Sequence, residues 1–297
     1  MLPYNIQKGD TIAILAPAKK IEAEFIDFAV KTIEKQGFKA VVSDHCLGDN
    51  NYFSGTIEER KMDFQRALDN PNIHAILCAR GGYGCVQILE ELNWKSFSKH
   101  PKWIIGFSDV TVFHLKIAQL GSASIHGTMP LNFKENTKEA LSSLFKAIQG
   151  ENLNYTWKST IENVEGTAEG EVIGGNLAVL CGLIGTRQQP NFTDKILFIE
   201  EVGEALYAID RSLYQLKMAG ILDKIKGLIV GSVSGVKDTH PPYNMTLREV
   251  VILHFLNQQI PIAFDFPAGH CDDNRALVLG KKSKLEVGSF SSTLAVL

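Results

Sequence analysis

Short apolar runs alternate with longer amphipathic stretches through the first half of this 297-residue chain. The runs typical of buried strands are residues 11–18, 39–43, 74–79, 102–107 and 124–126. The stretches with helical periodicity are residues 22–36, 56–70, 84–92, 110–120 and 137–149. Strands that alternate with helices predict a parallel sheet covered by helices on both faces. In such sheets ligands bind beyond the carboxyl ends of the strands.

The second half of the chain has a different pattern. Residues 150–170 are polar with little helical periodicity, and a domain boundary is predicted there. Residues 171–186 are glycine-rich and partly helical; strands are predicted at 195–201 and 227–233, helices at 209–219 and 246–257, and short strands at 262–266, 276–279, 284–287 and 294–297. We therefore predict an α/β fold with a parallel-sheet N-terminal domain, residues 1–150, and a smaller, β-rich α/β C-terminal domain, residues 165–297.

Charge and hydropathy restrict the class of partner. The net charge is -3, and lysines and arginines are scattered along the chain, so neither nucleic acid nor an anionic membrane surface is an expected partner. No apolar run approaches the roughly 20 residues that span a bilayer, and the first ten residues lack the apolar core of a signal peptide. We expect a cytoplasmic protein that acts on a small molecule or a peptide.

The five cysteines, Cys46, Cys78, Cys85, Cys181 and Cys271, are odd in number and form no C-x-x-C pair. This spacing argues against both a disulfide framework and a zinc ribbon. Reduced thiols are expected.

Ser108 lies where a predicted buried strand ends in a Gly-x-Ser-Asp turn and the chain enters a helix. Such a turn exposes its side chain at the carboxyl edge of the sheet, above helix-start amides, which is where a nucleophile belongs. The alternative is that Ser108 only caps the helix that follows, because serine is a favoured N-cap residue.

A glycine-rich turn, Arg80-Gly81-Gly82-Tyr83-Gly84, connects another predicted strand to a helix. Its glycines allow backbone amides to approach a phosphate or an oxyanion. The spacing matches neither G-x-G-x-x-G nor a Walker motif, so nucleotide binding is not indicated. A tight turn without a ligand is the alternative.

Two further strand ends carry residues that can act with a serine. Glu200 and Glu201 end the strand at 195–201, and His270 follows the strand at 262–266. The order serine, acid, histidine is that of the α/β-hydrolases. In such a triad the histidine takes the serine proton, the acid orients the imidazole, and backbone amides stabilise the oxyanion. The amides of Gly82 and Asp109 are the candidate donors.

Five segments of this sequence resemble motifs of the LD-carboxypeptidase family. They are Ala79-Arg80-Gly81-Gly82-Tyr83-Gly84, Gly106-Phe107-Ser108-Asp109, His126-Gly127-Thr128-Met129, Leu197-Phe198-Ile199-Glu200-Glu201 and Pro267-Ala268-Gly269-His270. The resemblance covers nearly the whole chain.

The resemblance implies a serine peptidase that removes a terminal D-amino acid, typically D-Ala, from an L-centre of murein tetrapeptides during cytoplasmic cell-wall recycling. It further implies Ser108 as nucleophile, Glu200 as orienting acid and His270 as base, no cofactor and no metal, and a homodimer. Glu201 stands where the family often has aspartate, so Glu200 is the better match. A sister branch, the microcin C immunity peptidases, acts on an aminoacyl nucleotide analogue but usually has a longer insertion before the glutamate.

Three other interpretations use different residues. A zinc site at residues 270–273 is disfavoured because consecutive side chains cannot all face one ion and no H-E-x-x-H motif is present. Cys85 or Cys271 as nucleophile lacks a strand-turn-helix signal comparable to that of Ser108. A two-domain binding protein that uses the glycine turn as an anion site needs no strand-end triad.

A carboxypeptidase also needs a cation to bind the free carboxylate of its substrate. Arg80, at the glycine turn, and Arg275, after the histidine loop, are the candidates, because arginine binds carboxylates with bidentate geometry. The alternative for either arginine is an ion pair with a protein carboxylate such as Asp272 or Asp273.

Overall fold

The computed structural model describes residues 1–151 and 153–297. Their strands fall into two sheets, of six and seven strands. The strands are β1 Thr11–Leu15, β2 Lys39–Val42, β3 Ala75–Cys78, β4 Trp103–Gly106, β5 Ser124–His126, β6 Asn154–Lys158, β7 Gly166–Asn176, β8 Ile196–Val202, β9 Gly227–Ser234, β10 Ile262–Ala263, β11 Leu277–Leu279, β12 Lys282–Gly288 and β13 Ser291–Val296. The helices are α1 Ala23–Lys35, α2 Ile57–Asp69, α3 Cys85–Leu89, α4 Lys95–Lys99, α5 Thr111–Gln119, α6 Lys138–Ile148, α7 Leu177–Cys181, α8 Leu206–Met218 and α9 Leu247–Leu253.

The first sheet has the order β11-β5-β4-β3-β1-β2 and is parallel except at β11, which pairs antiparallel with β5. Its central strands β3 and β4 are buried along their whole length, as continuous apolar runs in a sheet covered on both faces should be. The predicted α/β class and parallel first sheet are confirmed. The carboxyl ends of β3 and β4 lie side by side, so the loops that follow them are neighbours.

The second sheet has the order β10-β9-β8-β7-β12-β13-β6. Its β10-β9-β8-β7 half is parallel, and the β7-β12-β13-β6 half is antiparallel. β6 lies within residues 150–170, and residues 166–176 form one long strand, β7, before the short helix α7. The division into residues 1–150 and 165–297 stays a prediction. β6 lies between the two ranges and pairs into the second sheet, whereas β11 lies in the second range and pairs into the first sheet.

A hydrogen bond between the start of α5 and the end of β7 connects the two sheets. The amide of Asn176, at the end of β7, donates to Oγ1 of the buried Thr111 at 3.0 Å. Asn176 is also the register partner of Glu200 on β8. Because Thr111 begins α5 three residues after Ser108, this contact brings the end of β8 towards the end of β4.

Two helices begin at capping residues that the local sequence supplies. Thr56 and Glu59 form a reciprocal capping box at the start of α2, and Thr246 and Glu249 form another at α9.

Two clusters of buried apolar side chains fill the layers against the two sheets. In the described part of the chain no helix has the length and apolar character needed to cross a membrane.

Candidate active site

Ser108 follows β4 at a sharp change of backbone direction. Its φ is +62°, a left-handed conformation that non-glycine residues seldom adopt and that costs about 1 kcal/mol or more. The preceding Phe107 is extended, and a 3-10 turn over Ser108–Val110 leads into α5. The turn lifts the half-buried Ser108 side chain from the sheet edge, which is the geometry of a nucleophile elbow.

The capping alternative for Ser108 finds no support in this geometry. Ser108 is the first residue of the 3-10 turn, and within residues 1–151 and 153–297 neither that turn nor α5 has a side-chain hydrogen bond at its start. The side chain is therefore available for another role.

The glycine turn between β3 and α3 packs directly on this elbow. An ideal Cβ added to Gly81 would lie 3.0 Å from Cβ and 3.2 Å from Oγ of Ser108, and 3.4 Å from the amide nitrogen of Asp109. Gly82 has a φ of +111°, and its amide donates no hydrogen bond within the described residues. Glycine is needed here because any side chain would displace the serine or strain the backbone.

Asp109 fastens the elbow to the glycine turn. Its buried carboxylate accepts a hydrogen bond from the amide of Cys85, the first residue of α3, at 2.8 Å. Burial raises the pKa of the Asp109 carboxyl above its usual range. The side chain thus has a structural partner, while its backbone amide lies beside Gly81.

Arg60 also holds the glycine turn, a role that the sequence does not predict. Its buried guanidinium donates through Nη1 to the carbonyls of Pro17 at 2.9 Å and Gly84 at 3.1 Å, and through Nε to that of Gly55. Three loops at the carboxyl edge of the first sheet are therefore tied together by one side chain. An arginine on an amphipathic helix usually faces solvent, so the sequence pattern of α2 carries no signal of this role.

Glu200 and His270 form the second half of the site. The Glu200 side chain is fully buried near the end of β8, and its Oε2 lies 2.7 Å from Nδ1 of His270, whose side chain is 23% exposed. The loop that carries His270 approaches closely because Gly269 adopts φ +117°; an ideal Cβ there would lie 2.8 Å from Cβ of Glu200. The carboxylate can orient the imidazole and stabilise its cation.

The neighbouring Glu201 has different partners. Its Oε1 accepts from Nδ2 of Asn176 at 2.9 Å, and its Oε2 accepts from the amide of Ala178, in the first turn of α7, also at 2.9 Å. Burial raises the pKa of the Glu201 carboxyl. Of the two adjacent acids, Glu200 is therefore the one bonded to the histidine, and Glu201 anchors α7.

Phe107 links the two halves of the site. The centroid of its ring lies 4.9 Å from that of His270 in an edge-on arrangement, and Phe107 immediately precedes Ser108. Within the described residues the hydrogen bonds include none between Ser108 and His270. Catalytic hydrogen bonds are often long in unliganded enzymes and shorten when substrate binds, so the juxtaposition is compatible with proton transfer.

The two arginines predicted to bind substrate have different surroundings. Arg80 donates through Nη1 to the carbonyl of Lys20 at 3.0 Å, and its Nε is buried without a hydrogen-bond partner in the described structure. Arg275 forms a bidentate ion pair with Asp273, with Nη2 to Oδ2 at 2.8 Å. It lines a surface cleft with Glu139 and Tyr155. Arg275 thus has the ion pair expected under the alternative interpretation.

The thiol and metal alternatives gain no support from the geometry. Cys85 is fully buried, which raises the pKa of its thiol well above the usual range, and burial raises that of Cys271 to about 11. A cysteine nucleophile needs a lowered pKa. No group of three or more His, Cys, Asp or Glu side chains suited to a metal ion occurs among residues 1–151 and 153–297.

Comparison with known proteins gives matches over nearly the whole chain. The LD-carboxypeptidase N-terminal domain matches residues 12–127, and the LD-carboxypeptidase C-terminal domain matches residues 169–285. A Bacillus subtilis protein named "probable murein peptide carboxypeptidase" is 30% identical over 98% of this chain and 93% of its own length. The microcin C7 self-immunity protein MccF of Escherichia coli is 29% identical over 96% of this chain and 93% of its own length.

A solved structure shares the fold. The crystal structure of muramoyltetrapeptide carboxypeptidase from Oxalobacter formigenes superposes with a TM-score of 0.88 at 26% identity, covering 96% of this chain and 98% of the other.

Proposed function

Because this chain belongs to the LD-carboxypeptidase family, we propose that it is a serine carboxypeptidase that removes the terminal D-amino acid, D-Ala, from murein tetrapeptides. The bond that it cleaves joins an L-centre to that D-residue. The observation that carries the proposal within this molecule is the 2.7 Å contact between Glu200 and His270 at the edge that also carries Ser108. That contact supplies the oriented base that a serine nucleophile requires.

In the proposed mechanism Ser108 Oγ attacks the carbonyl carbon of the scissile amide while Nε2 of His270 takes the hydroxyl proton. The imidazolium is stabilised by Glu200, and it then donates the proton to the leaving amino group of the D-residue. Water then attacks the acyl-enzyme while His270 takes its proton, and His270 returns that proton to Oγ of Ser108 as the ester bond breaks. The free acid of the shortened peptide is released.

The amides of Gly82 and Asp109 are the proposed oxyanion donors. They belong to the two turns that meet at Ser108, and the Gly82 amide has no other acceptor in the described structure. Each such donor typically contributes about 3 kcal/mol to transition-state stabilisation. Arg80 is proposed to face the substrate carboxylate, since its Nε has no partner in the described part of the protein.

A second candidate is a peptidase of the microcin immunity type, favoured by the 29% identity to MccF. Purified protein incubated in parallel with a murein tetrapeptide and with an aminoacyl sulfamoyl nucleoside distinguishes the two. We expect kcat/KM to be higher for the tetrapeptide. Higher kcat/KM for the nucleoside derivative would favour the immunity function.

The non-catalytic alternative is tested with a phosphonofluoridate serine probe. A binding protein has no activated serine, whereas the proposed enzyme forms a covalent adduct at Ser108. Intact-protein mass spectrometry of wild type and Ser108→Ala reads the adduct directly. Equal labelling of both proteins would reject Ser108 as nucleophile.

We further propose that the enzyme acts in the cytoplasm on recycled murein peptides and that it is a homodimer. All five cysteines are free, and four of them are buried, which suits a reducing compartment. Cell fractionation and light scattering of the purified protein test the two parts of this proposal.

A further inference from the structure

Lys19 lies at the edge of the candidate site, in the loop that follows β1. Its backbone forms an isolated bridge with Phe53, which fixes the loop against the segment before α2. Its side-chain stem packs on the glycine turn: an ideal Cβ added to Gly82 would lie 3.0 Å from Cβ and 3.6 Å from Cδ of Lys19. The adjacent Gly81 packs on Ser108, and the Cα atoms of neighbouring residues are only about 3.8 Å apart.

The charges around this turn are unevenly compensated. Lys20 pairs with Asp49, with Nζ to Oδ1 at 2.8 Å. Neither Lys19 nor Arg80 has a carboxylate within ion-pair distance in the described residues. The Lys19 ammonium instead lies 5.1 Å from the ring centroid of Tyr52. Lys19 and Arg80 therefore place two positive charges without carboxylate partners beside the glycine turn, in a chain whose net charge is -3. They add to the buried Arg60 guanidinium, which donates to loop carbonyls.

The reaction itself restricts where the substrate carboxylate can lie. A carboxypeptidase cleaves the last peptide bond, so the free carboxylate is attached to the same Cα as the leaving nitrogen. It must lie a few ångströms from the carbon that Ser108 attacks. Arg80 belongs to the turn that packs on Ser108, and the stem of Lys19 packs on the same turn. Arg275, in contrast, is held in an ion pair with Asp273.

We propose that Lys19 binds the terminal α-carboxylate of the substrate, together with Arg80, and that it thereby limits cleavage to peptides with a free terminus. This inference rests on the proposed carboxypeptidase function. The flexible stem of Lys19 lets its ammonium move from the Tyr52 ring to the carboxylate, and Tyr52 supplies one wall of the subsite.

Peptide binding to an inactive protein tests the subsite independently of turnover. Calorimetry on Ser108→Ala compares a murein tetrapeptide with a free terminal carboxylate and the same peptide with a terminal carboxamide. A second substitution, Lys19→Gln, is expected to weaken binding of the free acid roughly 10- to 100-fold, the range for a charge-assisted hydrogen bond, and to leave carboxamide binding nearly unchanged.

Two further variants give the controls. Lys20→Gln, one residue away and paired with Asp49, should leave both affinities unchanged, and Lys19→Arg should retain most of the preference for the acid. Equal weakening of both peptides by Lys19→Gln, no weakening of either, or no binding of the free acid to Ser108→Ala would overturn the inference. Failure of the wild-type protein to hydrolyse the tetrapeptide is read separately and overturns the proposed function.

Discussion

Nδ1 of His270 lies 2.7 Å from Oε2 of Glu200, and the Glu200 carboxylate is fully buried while the histidine ring is partly exposed. A buried carboxylate is unfavourable unless it is paired, so this contact has an electrostatic reason as well as a geometric one. It fixes which ring nitrogen faces the acid and leaves Nε2 free to serve as the base.

Glu200→Gln should therefore lower kcat on the order of 10⁴-fold with little change in KM, because an amide cannot stabilise the imidazolium that forms during attack. Glu201→Gln provides the matched control one residue away. It should keep most of its kcat but lose about 1 to 3 kcal/mol of unfolding free energy, because its amide places a donor against Asn176 or the Ala178 amide. Kinetics and denaturant unfolding of both variants check this. The opposite pattern, with Glu201→Gln inactive and Glu200→Gln active, would reverse the assignment.

The left-handed backbone of Ser108 predicts a trade-off between stability and activity. Ser108→Gly removes both the strain at φ +62° and the nucleophile. We expect the variant to be inactive. Its free energy of unfolding should equal that of wild type or exceed it by up to about 1 kcal/mol. Urea denaturation measures the difference, with Ser124→Gly, at a buried residue of the regular strand β5, as the destabilised control. A Ser108→Gly protein that is clearly less stable would show that the turn is not strained.

Two buried histidines predict a loss of stability in acid. Burial lowers the pKa of His114 to about 4 and that of His126 well below its usual range. An unfolded histidine has a pKa of about 6.5, so below that pH the unfolded chain binds protons that the folded protein does not. The free energy of unfolding should therefore fall as the pH is lowered from about 6.5 towards 4.

His126→Phe isolates one of these contributions, because neither ring nitrogen of His126 has a hydrogen-bond partner in the described structure. The loss of stability between pH 7 and pH 5 should be smaller in this variant by about 1 to 2 kcal/mol. Denaturant titrations at the two pH values measure it. An unchanged pH dependence would mean that His126 does not stay neutral in the folded protein.

The thiols should be dispensable for catalysis. Cys271→Ser, next to His270 in sequence, should retain activity, because burial keeps the thiol protonated at neutral pH. Activity should also persist in a chelator, because the serine mechanism uses no metal. Loss of activity in Cys271→Ser, with the unfolding midpoint unchanged, would favour the cysteine alternative.

The sequence predicted those parts of the fold that depend on local pattern. β4 and the turn at Ser108 follow from a continuous apolar run that ends in small residues, and α2 follows from its capping box. The placement of β6 and β11 could not be predicted, because their partners β13 and β5 are distant in sequence and register is a non-local property.

The same limit applies to the site. Strand ends and chain order pointed to Ser108, Glu200 and His270, but the partners that distinguish Glu200 from Glu201 lie on other loops. The role of Arg60 could not be predicted, because it depends on three loop carbonyls that only the folded chain brings together.

The central claim is that Ser108 removes the last residue of a murein tetrapeptide. Mass spectrometry of the peptide after incubation with wild-type protein and with Ser108→Ala tests it most directly. The wild type should convert the tetrapeptide to the tripeptide and free D-Ala, and Ser108→Ala should leave it intact. An intact tetrapeptide with the wild type, or equal conversion by Ser108→Ala, would contradict it.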